Sequence, residues 1–384
     1  MTQITENWVT EPATQNVCSA LTEAGAQAFF VGGCVRNALL GAPVSDIDIA
    51  TDAHPARVIE LAQAVGLKPI PTGIDHGTVT VVSKGIPHEV TTFRRDIETD
   101  GRRAVVAFSD NVKEDAARRD FTMNAIYARP DGTVLDPLNG LPDLLARRVR
   151  FIGTAEHRIR EDYLRSLRYF RFHAWYGDAD AGFDPEALAA IAANLEGLAA
   201  LSRERVGAET LKLLGAPDPA PSVAAMRSAG VLASVLPGAE DRALAPLVEL
   251  ERQAGAGPDP IRRLAAIASP EIAKTLRLSR AQLQRLTRMR DEAAGNATVA
   301  ELGFRYGAEG GLHETLLRCA MFEQPWTNEM QHALDQGAAA VFPIKAADLI
   351  PEFTGPALGR KLAELEARWV ASGFTLSRNE LLSG

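Results

Sequence analysis

Apolar and polar positions change rhythm partway along the chain. Over roughly the first 140 residues the apolar positions come in short, β-branched or aromatic runs. These predict strands at Ala28–Val31, Ile47–Ala50, Thr78–Val82, His88–Phe93 and Ala125–Ala128. Between them, helical spacing predicts Thr14–Ala24, Val35–Leu40 and Pro55–Val65. The last opens with a proline in the first turn, behind Asp52-Ala53-His54. Asp131-Gly132 between two strand-like runs predicts a hairpin. After about Asp143 the strand signal fades, and Ala, Leu, Arg and Glu recur at helical spacing. Pro/Gly clusters at Gly215–Pro221, Leu236–Gly238 and Gly255–Pro260 punctuate them. The pattern predicts an α+β head over 1–143, a helical neck over 144–215 and a helical body and tail over 216–384. No repeat of fixed period is visible.

Composition changes this picture only locally. A chain of 384 residues that is 46% hydrophobic has enough apolar surface for two or three packed cores. A nucleic-acid binder is usually basic overall, so a net charge of −8 argues mildly against one. Yet Asp143–Tyr176 carries eight arginines against four acidic residues, a stripe able to follow a phosphate backbone. Cys18, Cys34 and Cys319 have neither zinc nor disulfide spacing, and reduced thiols in a cytoplasmic protein are the expectation. The first ten residues do not read as a signal peptide, and no apolar run is long enough to span a membrane.

The densest chemistry lies between Val31 and Thr51. Gly32-Gly33 is followed by Arg36, then by Asp46 and Asp48 one residue apart. Residues two apart on a strand share a face, so both carboxylates are expected to project together while Ile47 and Ile49 turn into the core. Carboxylate oxygens near a bare glycine turn and an arginine suit Mg²⁺ and a triphosphate. Such metal sites stabilise the attacking and leaving oxygens of an in-line displacement.

A second constellation spans Glu161–Phe172. Tyr163, Leu164, Leu167 and Phe170 form an apolar stripe, with Glu161, Asp162, Arg165 and Arg168 on the other side. The simplest reading is a solvated helix face with i,i+4 ion pairs. A more specific one makes Asp162 an acceptor and Arg165, one turn on, a donor. Cytosine and adenine each offer an amino donor beside a ring-nitrogen acceptor and match that pair. Uracil and guanine present the reverse order and would leave buried groups unpaired, which such sites reject strongly.

These motifs resemble, in order, those of the class II tRNA nucleotidyltransferases, the bacterial-type CCA-adding enzymes, whose near relatives are bacterial poly(A) polymerases. The first is Gly32-Gly33-x-x-Arg36 through Leu39-Leu40-Gly41 to Asp46-x-Asp48. The second is Arg118-Arg119-Asp120-Phe121-Thr122-Met123-Asn124-Ala125, and the third Asp136-Pro137-x-x-Gly140-x-x-Asp143-Leu144. The fourth is Glu161-Asp162-x-x-Arg165-x-x-Arg168-x-x-Arg171-Phe172. A weaker fifth is Arg203-Glu204-Arg205-Val206 with Glu209 and Leu213-Leu214. One departure is Asn37, where the family usually has Asp; Asn keeps the hydrogen bonding and loses the charge.

The resemblance implies a polymerase-beta-like nucleotidyltransferase head with a mixed sheet, followed by an all-α neck, body and tail. It implies that Asp46 and Asp48 hold catalytic Mg²⁺, with Glu89 as a third catalytic carboxylate. Gly32, Gly33 and Arg36 would face the triphosphate. Arg118, Arg119 and Asp120 would meet the ribose, and Asn124 and Arg168 complete the nucleotide-binding set. Asp162 and Arg165 would read the base. The implied partners are a tRNA 3′ end, CTP and ATP, with no DNA and no membrane. Within the family, relatives add whole CCA, part of it, or poly(A). The loop expected over Arg94–Val105, with Asp100-Gly101-Arg102-Arg103, resembles that of enzymes adding the terminal A. Thr72–Thr78 resembles the CCA-adding branch, and full CCA addition is favoured over A-only or poly(A) addition.

Readings from other classes fit less well. A haloacid-dehalogenase-type phosphatase needs a long apolar strand before its first aspartate, and here Gly41–Ser45 is a turn. A dinucleotide fold lacks its third glycine and later acidic residue. A non-catalytic RNA-binding protein does not account for the intact Asp46, Asp48, Asp120, Asp162 and Arg165.

Overall fold

The computed structural model describes residues 2–100 and 103–383, which fall into two compact units, Met1–Val235 and Leu236–Gly384. The first unit opens with α1 (Asn7–Thr10) and α2 (Pro12–Thr22). It continues through β1 (Ala28–Val31), α3 (Gly33–Leu39), β2 (Asp48–Thr51), α4 (Pro55–Ala64), β3 (Lys68–Gly73), β4 (Thr78–Ser83) and β5 (Ile86–Thr92). A two-stranded hairpin of β6 (Arg94–Asp100) and β7 (Arg103–Phe108) follows, then α5 (Val112–Ala117), β8 (Tyr127–Ala128) and β9 (Val134–Leu135). Seven helices complete the unit: α6 (Leu141–Leu145), α7 (Ala155–Glu161), α8 (Leu164–Tyr176), α9 (Pro185–Ala192), α10 (Arg203–Leu214), α11 (Ala220–Ser228) and α12 (Val231–Val235).

Seven strands form one mixed sheet in the order β3-β4-β5-β2-β1-β8-β9, in which only the β2–β5 pairing is parallel. That pairing puts Asp48 opposite Glu89. β4 alternates buried and half-buried side chains, the signature of a sheet with one face on the core. Phe29, Val31, Ala50, Phe93, Ala116, Ala125 and Tyr127 pack as a core against the middle strands. β1 and β2 are fixed there, and with them the turn that carries Gly32 and the strand start that carries Asp48. The α+β head followed by helices is therefore as expected.

Several local expectations need correction. β3 does not appear among the predicted strands because Pro69 and Pro71 read as breakers; it lies at the sheet edge, where a missing N–H is tolerated. The run Ala125–Ala128 is strand only at Tyr127 and Ala128, because Thr122–Asn124 is wound into a 3₁₀ turn. Asp46 is not on β2: the strand begins at Asp48, and Ile47 is half-buried rather than in the core. The helix expected across Glu161–Phe172 is two helices. Asp162 is extended (φ −153°, ψ 105°), and its carboxylate accepts from Leu164 N at 3.1 Å, capping α8. The Arg94–Val105 stretch is hairpin in β6 and β7; Gly101 and Arg102 lie outside the described residues. The Asp131-Gly132 turn is present, with Gly132 at φ +84° and its N–H bonded to Arg129 O.

The second unit is helical: α13 (Leu244–Gln253), α14 (Pro260–Ile267), α15 (Pro270–Lys274), α16 (Arg280–Ala294), α17 (Val299–Met321), α18 (Asn328–Ala339), α19 (Gly355–Ala371) and α20 (Arg378–Leu382). α17 is kinked at Gly307, which has φ +73°. Gly303 and Gly337 let α17 and α18 meet backbone to backbone. A Cβ at Gly337 would run into the Ala300 carbonyl oxygen, and one at Gly303 into that of Leu334. Glu251 is buried between Arg262 and Arg263. His313 lies 2.6 Å from Arg262 Nη1 and 2.9 Å from Arg285 Nη2; burial and these guanidiniums push it down to about 4.

Candidate active site

A cavity of about 390 Å³ opens in the first unit, lined by six arginines (36, 118, 119, 165, 168 and 205) and three aspartates (48, 120 and 162). Gly32, Gly33, Asn124, Leu164 and Phe172 complete its wall. The cationic excess suits a polyanion. Gly32, at φ +73°, turns the chain from β1 into α3 and keeps the wall bare of side chain. A Cβ there would stand 3.7 Å from Arg119 Nη1 and 3.8 Å from Asp48 Oδ2, so both side chains approach the bare glycine.

Arg36 is only 7% exposed and points from α3 into this wall. Nη1 donates to Asn124 Oδ1 at 2.6 Å, and Nη2 to Asn37 Oδ1 at 3.0 Å and to the Tyr176 hydroxyl at 2.8 Å. Its guanidinium carbon stands 4.0 Å from the Tyr176 ring centroid and 5.2 Å from that of Phe172. Burial lowers its pKa, and Tyr176 works against that shift. Asn37 takes part directly: its other amide end donates to Pro43 O at 2.8 Å, a bond a carboxylate at this position would not make.

The second motif forms two clusters. Asp120 is buried: Oδ1 accepts from Phe121 N and Asn124 Nδ2, both at 2.9 Å, and Oδ2 from Arg168 Nε and Nη2 at 2.7 and 2.6 Å. Burial would raise its pKa, but Arg168 and Asn124 outweigh burial and lower it. Arg118 and Arg119 share Asp115, and Arg119 also donates to Tyr127 OH at 3.1 Å. The third motif supports the second from beneath. Asp136 accepts from Gly140 N and Leu141 N, both at 2.8 Å, and Asp143 holds Thr122 Oγ1 at 2.8 Å and Arg150 Nε at 2.9 Å.

Asp162 and Arg165 line the same cavity, but each has other partners. Asp162 Oδ2 accepts from Arg205 of α10 at 2.7 Å. Arg165 is paired with Glu161 and donates to Arg158 O at 3.1 Å and Arg118 O at 3.3 Å. Both keep unused hydrogen-bonding capacity: lone pairs on Asp162, and Nε–H on Arg165.

The three expected catalytic carboxylates, Asp46, Asp48 and Glu89, are arranged more loosely. Asp48 lines the cavity; Asp46, exposed, accepts from its neighbour Ser45 at 2.9 Å and lies outside the lining, as does the exposed Glu89. Burial, Glu89 and Asp46 raise the Asp48 carboxyl to about 6, with Arg119 opposing. Among the described residues no group of three or more His, Cys, Asp or Glu side chains converges to hold a metal by itself. Asp48 on the cavity wall, with Glu89 opposite it on the neighbouring strand and Asp46 two residues away, is nevertheless a fitting donor set for Mg²⁺, which takes one or two carboxylates plus substrate oxygens.

Asp48 and the expected nucleotide-binding residues are brought together in the cavity lining, whereas Asp46 and Glu89, expected as catalytic carboxylates, lie outside it. Asp115, Tyr127, Phe172, Tyr176 and Arg205 are not among the expected site residues. Asp115 carried a signal, three and four residues before Arg118 and Arg119; Tyr176, 140 positions from Arg36, carried none.

A nucleotide-sized, arginine-rich cavity against a mixed-sheet head defines a nucleotidyltransferase-type architecture, and comparison with known proteins agrees. The Poly A polymerase head domain family matches residues 28–150, and the family described as probable RNA and SrmB-binding site of polymerase A matches residues 182–242. The solved Bacillus stearothermophilus CCA-adding enzyme in complex with CTP is 30% identical; the match covers 96% of this chain and 95% of that one, with a TM-score of 0.70. The chain belongs to the CCA-adding enzyme family of tRNA nucleotidyltransferases. In sequence, the human mitochondrial CCA tRNA nucleotidyltransferase 1 is 46% identical over 184 residues, 48% of this chain and 42% of the relative. The Geobacillus stearothermophilus CCA-adding enzyme is 43% identical over 224 residues, 58% and 54% respectively. The chain thus spans about half the length of these curated relatives. The Thermotoga maritima CCA-adding enzyme complexed with tRNA, 20% identical, shares the fold with a TM-score of 0.70. No helix among the described residues is long and apolar enough to cross a membrane.

Proposed function

We propose that the chain adds C and A residues to tRNA 3′ ends from CTP and ATP without a nucleic-acid template, releasing pyrophosphate. The observation that carries this reading is the placement of Asp162 and Arg165 in one cavity with Asp48, Arg36, Arg118 and Arg119. The Asp162 carboxylate accepts the exocyclic amine of C or A, and Arg165 donates to the adjacent ring nitrogen. Arg36 holds the triphosphate; Arg118 and Arg119, which the resemblance assigned to the ribose, are reassigned to the triphosphate because Arg119 Nη1 comes up beside Gly32, and Asp120 fixes Arg168 and Asn124 beside the sugar. The reaction forms a bond from the RNA 3′-oxygen to the α-phosphorus and breaks the bond to the β-phosphate oxygen. Asp46 and Asp48, with Glu89 beside them, would hold Mg²⁺. When bound, the metal lowers the pKa of the 3′-hydroxyl and neutralises charge on the leaving pyrophosphate. The arginines contribute alignment and charge neutralisation, the main requirements of this chemistry. We infer a cytoplasmic location as part of the same proposal; the free, buried cysteines are compatible with a reducing compartment.

The test is incubation with tRNA ending at its discriminator base, Mg²⁺ and each labelled triphosphate, followed by product sequencing. CCA ends are expected. Long A tracts would identify a poly(A) polymerase, to which the head-domain match also points, and A added only to a CC end would identify the specialised enzyme. No incorporation of any nucleotide overturns the reading.

A further inference from the structure

Behind the two arginines of the second motif sits a carboxylate that faces no cavity. Asp115, in α5, is 1% exposed and is absent from the lining of the site. Its Oδ1 accepts from Arg118 Nε at 2.9 Å and from the Arg94 backbone N–H at 3.3 Å. Its Oδ2 accepts from the Tyr127 hydroxyl at 2.7 Å and from Arg119 Nη2 at 3.0 Å. Four donors therefore share two oxygens, which uses every lone pair of an ionised carboxylate. Nothing is left over for a substrate proton or a metal ion, so chemistry at Asp115 itself is excluded.

What these bonds leave unoccupied gives the group its meaning. Arg118 is held through Nε, which leaves its terminal nitrogens out of that bond while the residue lines the cavity. Arg119 is held through Nη2 and, by Tyr127, through Nε, which leaves Nη1 facing Gly32 in the cavity wall. Two adjacent guanidiniums repel each other, and the repulsion grows in a cavity from which water is partly excluded. A single buried anion at their roots offsets that repulsion while aiming both ends the same way. The Arg94 N–H brings the base of the β6–β7 hairpin to the same carboxylate.

We propose that Asp115 is a positioning residue that aims Arg118 and Arg119 at the phosphates of the incoming nucleotide and registers them against the root of the β6–β7 hairpin. This deepens the proposed function and rests on it. Asp115→Asn preserves the shape but removes the charge and puts an amide N–H₂ where only donors approach. It weakens the grip on phosphates and leaves Asp162 and Arg165, which read the base, in place.

The experiment measures steady-state kinetics and pyrophosphate binding by calorimetry on full-length wild type and Asp115→Asn. The expected result is a KM for CTP and for ATP raised roughly tenfold, kcat changed less than about threefold, and preference for C and A over U and G retained. Pyrophosphate affinity falls by a similar factor, a readout independent of turnover. A folded Asp115→Asn protein with wild-type KM and wild-type pyrophosphate affinity overturns the proposal, as does a loss confined to kcat. If Asp115→Asn does not fold, Tyr127→Phe decides in its place. It removes one bond to Oδ2 and the acceptor for Arg119 Nε, and a KM raised about threefold is expected, while an unchanged KM and pyrophosphate affinity overturn the proposal. A wild type that adds neither C nor A, yet binds pyrophosphate in an Asp115-dependent way, refutes the proposed function and keeps the positioning role.

Discussion

The grip on Arg36 yields a quantitative prediction. Among the described residues this buried cation has no carboxylate in direct contact and its Nε no hydrogen-bond partner; neutral oxygens and two aromatic rings hold it. Tyr176 supplies two of these supports, a hydroxyl at 2.8 Å and a ring face at 4.0 Å. Tyr176→Phe removes the hydroxyl alone. A hydrogen bond to a charged group is worth about 1.5–3 kcal/mol, so a loss near 2 kcal/mol is expected. Tyr176→Leu also removes the ring, adding about 1–2 kcal/mol for a desolvated cation–π contact. Stranding a buried ion costs about 3–5 kcal/mol, so in Tyr176→Leu the guanidinium swings away from the wall, and nucleotide KM rises by roughly tenfold. The assay is urea unfolding of wild type, Tyr176→Phe, Arg36→Met and the double variant, with KM for CTP measured in parallel. A coupling energy near 2 kcal/mol is expected between positions 36 and 176. A coupling below about 0.3 kcal/mol, with KM unmoved in Tyr176→Leu, would refute the idea that this tyrosine holds the arginine.

Arg205→Ala frees the Asp162 carboxylate; the pair is part-exposed, so stability changes by less than about 1 kcal/mol, while misincorporation of U and G relative to C and A rises roughly tenfold in primer-extension assays. The His313 imidazole, depressed to about 4, takes up protons more readily unfolded than folded. Stability is therefore lost as pH falls from the ordinary histidine range near 6.5 toward 4, and His313→Gln should flatten that arm of a urea-midpoint-versus-pH curve. Gly337→Ala forces α17 and α18 apart at the Ala300 carbonyl and should destabilise the second unit by about 3 kcal/mol in thermal or urea unfolding.

The elements legible in the sequence are those whose signal is local. β1, β4 and β5 announce themselves by β-branched and aromatic runs, and the cavity residues by short motifs whose spacing is itself chemical. The break at Asp162 was hidden because one extended residue barely disturbs a 3.6-residue period: Leu164, Leu167 and Phe170 still recur on one side. An aspartate able to cap the following helix was the available clue. β3 was masked by its prolines, which only the edge position makes acceptable. Tyr176 and Arg205 escaped because each acts on a partner far away in sequence, and pairing at that range is decided by tertiary packing. Asp115 lay within reach, since i,i+3 and i,i+4 ion pairs on a short helix are readable in advance. For the second unit the sequence yields helices, but nothing that foretells the buried Glu251 between two arginines.

The cavity wall is stitched across a long interval of chain. Arg36 is tied to Tyr176, Asp120 to Arg168, and the carbonyls of Ala117 and Arg118 receive Arg158 and Arg165. Each stitch joins the sheet-bearing part to the helices that follow it, and the first two bind buried charge. A fragment ending near residue 143 would carry two buried ions each missing one partner, Tyr176 for Arg36 and Arg168 for Asp120. Phosphate grip and base reader therefore travel as one cassette: recombination between relatives at this seam must exchange both halves or forfeit the site.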